Sequence, residues 1–109
     1  MIGILKNLFA PSDNSQLVAV LKEGAFLVDV RTPAEFSAGS VPGAVNIPLD
    51  KIPGQLSKFK GKANVVVFCR SGSRSSQAKN FLNQNGLSNV INGGTWQQVK
   101  TAKEVSDAK

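Results

Sequence analysis

Residues Val65, Val66, Val67 and Phe68 form an unbroken apolar run, and a short run without alternation reads as a strand covered on both faces. Such a strand needs a layer packed on each side of its sheet. The run Ala63 to Phe68 is joined by three others of strand length and β-branched character: Phe26 to Val30, Ala44 to Ile47, and Asn89 to Ile91. Segments with helical signals lie between them. This alternation predicts an α/β fold of three layers, a mainly parallel four- or five-stranded sheet with helices on both faces and right-handed crossovers.

The helix signals are local and specific. Thr32-Pro33-Ala34-Glu35 offers a capping box with proline at the first helical position, and Gly39 follows as a stop. Thr95 with Gln98 repeats the box for a last helix, and Asp13 with Gln16 opens a first one that Gly24 closes in the left-handed conformation. Ser73 to Asn85 reads as a longer helix with Ala78, Phe81 and Leu82 facing the sheet. Pro53 starts a short helix through Phe59, with Pro48 to Ile52 as an irregular turn.

A chain of 109 residues with 41% apolar residues supports one core without staples. The expected organisation is a tail over residues 1–12, one domain over 13–103 and a tail over 104–109. One cysteine and no histidine exclude an internal disulfide, clustered thiol or imidazole metal sites, and Ser-His or Cys-His catalysis. The net charge of +6 comes from scattered lysines without interleaved aromatics, which speaks against nucleic acid as a partner. Lys58, Lys60 and Lys62 around Gly61 read as a solvated turn. Met1 to Ala10 is interrupted by Lys6 and Asn7, so neither a signal peptide nor a membrane span is expected. A lone thiol fits a reducing cytoplasm, and a monomer is expected.

The chemistry concentrates in Cys69-Arg70-Ser71-Gly72-Ser73-Arg74-Ser75, at the end of the central strand and the start of the long helix. In open α/β sheets the ligand crevice lies beyond the carboxyl ends of the strands. A tight loop with glycine in its middle turns backbone N–H groups inward, and a helix start adds unsatisfied donors and its dipole. Cys69, flanked by Arg70 and Arg74, is expected below the free-thiol value of about 8.5 and is the candidate nucleophile. Taken alone, Cys69 reads equally well as a small apolar residue ending a buried strand; the polar, doubly basic loop after it favours the nucleophile. Arg74 is expected to brace the loop, and Arg70 to sit at the cleft rim. Asp29 and Arg31, at the end of a neighbouring strand, are candidates to shape the cleft, and Arg31 and Glu35 are spaced for an ion pair.

Several segments resemble the rhodanese family over roughly residues 13 to 100. Leu27-Val28-Asp29-Val30-Arg31 with Pro33, Glu35 and Phe36 resembles its first signature, and Val41-Pro42-Gly43-Ala44-Val45-Asn46-Ile47-Pro48 its second. Val67-Phe68-Cys69 with Gly72, Arg74 and Ser75 resembles its active-site loop, and Asn92-Gly93-Gly94-Thr95-Trp96 its closing signature. The resemblance implies a sulfurtransferase: a donor such as thiosulfate leaves its outer sulfur on Cys69 as a persulfide, and a thiol, a redox protein or cyanide removes it. No cofactor is required. Related cysteine phosphatases and arsenate reductases carry one more loop residue, and the four residues between Cys69 and Arg74 side with sulfur. The alternative classes are such a phosphatase or reductase, and a non-catalytic binding module. Two features depart from the family: Ser40 and Val41 precede Pro42 where many relatives have histidine, and Arg70-Ser71-Gly72-Ser73 matches neither the thiosulfate nor the mercaptopyruvate type of loop.

Overall fold

In the computed structural model, which describes residues 14–108, strand β3 (Val65–Cys69) is buried at every position. It pairs in parallel with β1 (Phe26–Asp29) on one side and β4 (Val90–Thr95) on the other, and β2 (Val45–Asn46) lies outside β1. The order is β2-β1-β3-β4, four parallel strands among the described residues. Both faces of β3 are covered, as an apolar run without alternation requires. Val65, Val67 and Cys69 pack with Ala78 and Leu82 of helix α3 (Ser73–Gln84) and with Ile52 and Phe59 of a 3-10 segment (Leu49–Phe59). Val66 and Phe68 pack on the opposite face with Leu17 of α1 (Ser15–Glu23) and with Val99 and Ala102 of α4 (Trp96–Asp107). The three-layer α/β architecture expected from the sequence is the observed one.

The start signals of two helices act as read. Thr32 Oγ1 accepts from Glu35 N to open α2 (Pro33–Ala38), Thr95 Oγ1 accepts from Gln98 N to open α4, and both boxes are reciprocated. Each cap is worth about 1 kcal/mol. The pairing of Asp13 with Gln16 lies outside the described residues, as does the segment 1–12; α1 begins after Asn14 without a side-chain cap. Gly24 closes α1 at φ 101° and ψ 130°, a positive φ that is not the left-handed helical conformation expected. The turn read over Pro48 to Ile52 is already helical from Leu49, and Pro53 sits inside the 3-10 segment, which kinks at Gln55 (φ −126°, ψ 19°). Burial of Ile52 and Phe59 against the sheet holds both halves. The last helix runs to Asp107, through most of the segment 104–109 read as a tail; Lys103 and Asp107 pair one turn apart at 2.9 Å.

Two features of this layout position the site. From β1 the chain leaves toward β2, and from β3 toward β4, so the connections part above the carboxyl ends of these adjacent strands, and ligands bind at such switch points. Asp29 and Phe68 are partners across that boundary, and Cys69 follows directly. The second feature is a bulge in β4: Val67 opposes Asn92 and Phe68 opposes Gly94, leaving Gly93 as the extra residue. A Cβ at Gly93 would lie 2.6 Å from Val99 Cγ2 and 3.0 Å from Val66 Cγ1, so only glycine fits between β3 and α4.

Candidate active site

Cys69 ends β3 with no exposed surface. Its Sγ accepts from the Gly72 N–H at 3.0 Å and from the Ser75 N–H at 3.4 Å, and Ser75 Oγ lies 3.4 Å away. The loop curls around the sulfur because Gly72 takes the left-handed conformation (φ 94°, ψ −10°) and serves as the N-cap of α3, a conformation that costs other L-residues 1–2 kcal/mol or so. Its carbonyl accepts the Ser76 N–H at 3.0 Å, locking the loop to the first helical turn.

Burial on its own pushes the Cys69 thiol up. It is outweighed by the hydrogen bond shared with the Ser75 side chain and by those from the Ser75, Ser71 and Gly72 N–H groups, and the thiol falls below its ordinary value. Those hydrogen bonds favour the charged form over the neutral thiol, with no imidazole involved. Arg70, Ser71 and Ser73 are exposed around the mouth of the loop, whereas Ser75 is fully buried beneath it.

Arg74 grips Glu35 of α2, Nη1 to Oε1 at 2.8 Å and Nη2 to Oε2 at 3.0 Å. This two-pronged pair ties the loop to α2, the bracing geometry expected of Arg74. The ion pair expected between Arg31 and Glu35 is absent. Arg31 instead reaches back to Asp29, Nε to Oδ1 at 2.9 Å and Nη2 to Oδ2 at 2.7 Å, and donates from Nη2 to the Gly39 carbonyl at 2.6 Å. The local rule of residues four apart fails because Arg31 precedes the helix and points into the fold, where its guanidinium also stacks 5.3 Å from the Trp96 ring centroid. Asp29 is completed by Ser40 Oγ at 2.7 Å. Asp29 and Arg31 thus brace the carboxyl end of β1, and Arg31 lines a cleft together with Arg74.

Arg74 and the Thr32 N–H hold the Glu35 carboxyl at about 2, below its ordinary 4.5. A carboxylate depressed in the folded state contributes stability above its unfolded value, and that contribution is lost as pH falls from about 4.5 toward 2. Lowering the pH from about 6 to about 3 should therefore reduce the urea midpoint more in the native protein than in Glu35→Gln. Equal losses in the two proteins would remove the pair from the account of acid stability.

Asn92 lies in the closing signature, whose residue pattern by itself does not reveal its role. Its Oδ1 accepts from Ser75 Oγ at 2.7 Å and from the Gly94 N–H at 2.9 Å, and its Nδ2 donates to the Gly72 carbonyl at 3.2 Å. The signal was in β4: Val90 packs on the α3 face and Ile91 on the other, so strand alternation aims Asn92 at α3 and the cysteine loop.

The rhodanese-like domain family matches residues 13–99. The chain belongs to the rhodanese family. This rhodanese is 44% identical over 70 residues to a sulfurtransferase of Allochromatium vinosum, covering 64% of this chain and 65% of that protein. It is 33% identical over 78 residues to thiosulfate sulfurtransferase PspE of Escherichia coli K12, covering 70% and 75% of the two chains. A solved E. coli rhodanese with anions matches it at TM-score 0.63 and 32% identity, over 69% of this chain and 91% of that one. The human single-domain sulfurtransferase TSTD1 matches at TM-score 0.63 and 27% identity, over 87% and 94%. Among the described residues, no helix is long and apolar enough to cross a membrane.

Proposed function

We propose that this rhodanese is a sulfurtransferase that carries sulfane sulfur as a Cys69 persulfide, from a small sulfur-containing anion such as thiosulfate to a thiol or cyanide. The observation that carries the reading is the Cys69 sulfur held by the N–H groups of Gly72 and Ser75. The Cys69 thiolate attacks the outer sulfur of thiosulfate; a new S–S bond forms, the bond to the sulfonate sulfur breaks, and sulfite leaves with its electron pair. A thiolate acceptor, free or on a redox protein, then attacks the terminal sulfur, and Cys69 departs as thiolate. Cyanide attacking the same sulfur leaves as thiocyanate. No proton need move in either step, which suits a site without histidine.

Relatives named as sulfurtransferases support the reaction class, and the four-residue spacing from Cys69 to Arg74 supports sulfur over a phosphate ester. Beside the loop, a cleft of about 320 Å³ with Val30, Pro48 and Leu49 in its walls and Arg74 at its edge suits the carbon portion of an organic thiol acceptor. The proposed setting is a reducing cytoplasm, which a lone thiol without a disulfide fits, and the proposed state is a monomer. The test is steady-state thiocyanate production from thiosulfate and cyanide. Parallel double-reciprocal lines are the expected ping-pong pattern; converging lines, or phosphate-ester hydrolysis in place of sulfur transfer, would overturn the proposal.

A further inference from the structure

We propose that Asn92 is a positioning residue that sets the acidity of Cys69 by competing with its sulfur for the one hydroxyl proton of Ser75. The orientation of the Asn92 amide is fixed by backbone groups that have no choice of role. The Gly94 N–H can only donate, so the atom 2.9 Å from it is Oδ1; the Gly72 carbonyl can only accept, so the atom 3.2 Å from it is Nδ2. Oδ1 carries no proton, and Ser75 Oγ at 2.7 Å must therefore donate to it. With its proton on that side, Ser75 presents a lone pair to Sγ at 3.4 Å.

This arrangement suits the thiol: Cys69 S–H donates to Ser75 Oγ, and Ser75 O–H donates to Asn92 Oδ1. When Cys69 ionises, its proton leaves to solvent, and Ser75 stabilises the anion only by rotating its hydroxyl toward Sγ and giving up Asn92. Oδ1 then keeps the Gly94 N–H alone. Ionisation of Cys69 is thus coupled to one hydrogen bond that the thiol form retains. The charged groups around the site are already engaged or lie at its edge: Arg74 on Glu35, Asp29 on Arg31, and Arg70 at the loop mouth. Strand β4 brings no titratable side chain to it.

The inference rests on Cys69 being the reactive thiol of the proposed function, but its test needs no sulfur donor. The pH dependence of Cys69 alkylation by iodoacetamide is measured for the native protein, Asn92→Ala and Asn92→Asp, each also with Ser75→Ala, after circular dichroism establishes that each is folded. The midpoint of the profile reports the thiol, and its amplitude reports access to the buried sulfur. Asn92→Ala should lower the midpoint by about one unit, about tenfold more thiolate at low pH, because the serine hydroxyl is released to the sulfur. In the Ser75→Ala background the same change should produce no fall. Asn92→Asp should raise the midpoint, and raise it more with Ser75 present; this pair decides the matter if Asn92→Ala does not fold. A residue that merely held the loop together would give the opposite sign, since a loosened cradle returns the thiol toward about 8.5. An unchanged or raised midpoint in Asn92→Ala, or an Asn92→Asp shift equal in the two backgrounds, would overturn the proposal. Failure here leaves sulfur transfer standing, and failure of sulfur transfer leaves this titration readable.

Discussion

Cys69→Ser should remain folded and lose sulfur transfer by about a thousandfold or more, the scale seen when a covalent nucleophile is removed. Serine is slightly smaller than cysteine and finds the same donors, the Gly72 and Ser75 N–H groups at 3.0 and 3.4 Å from the present sulfur, so the fold has little reason to change. The chemistry has every reason to. The loop lowers a thiol that starts near 8.5, whereas an alkoxide lies far beyond the reach of a few hydrogen bonds, and oxygen forms no persulfide. Thiocyanate production with thermal unfolding as the control reads both halves. Transfer within tenfold of the native rate would remove Cys69 from the mechanism.

The second large effect concerns stability. Asp29→Ala should lower the unfolding free energy by about 3–5 kcal/mol, because it strands the Arg31 guanidinium. Asp29 is 0% and Arg31 4% exposed, and Asp29 accepts from the Arg31 main chain, from its guanidinium and from Ser40 Oγ. After its removal the Gly39 carbonyl and the Trp96 face are the remaining partners of the buried cation among the described residues. For a domain of ordinary stability, about 5–15 kcal/mol, such a loss is a large fraction of the whole. Replacing both charges, Asp29→Leu with Arg31→Met, should cost less than Asp29→Ala, since no uncompensated charge is then buried. Urea unfolding decides it: a loss under about 1 kcal/mol for Asp29→Ala would contradict this account of the pair.

What the sequence revealed was what local physics controls. The run Val65 to Phe68, the capping boxes at Thr32 and Thr95, and the glycine-centred loop after Cys69 each act over a few neighbouring residues, and each stands where it was read. The partners of charges were not legible in the same way. Arg31 and Glu35 have helical spacing, yet one turns into the fold toward Asp29 and the other crosses to Arg74, 39 residues away in the chain. Spacing along a helix says nothing about a helix packed beside a loop. Asn92 escaped for a related reason: its role depends on the bulge at Gly93 and on which face of β4 meets α3, both set by packing against Val66 and Val99. The 3-10 segment is a third case, in which burial of Ile52 and Phe59 carries the chain through a proline that propensity treats as a start.

The most direct test of Cys69 as a sulfur carrier is the intact mass of the folded protein after incubation with a sulfane-sulfur donor. The account predicts a gain of one sulfur atom, located on Cys69 by peptide mapping and removed by a thiol. A folded protein that gains no sulfur from any of several such donors, or gains it elsewhere than on Cys69, would contradict it.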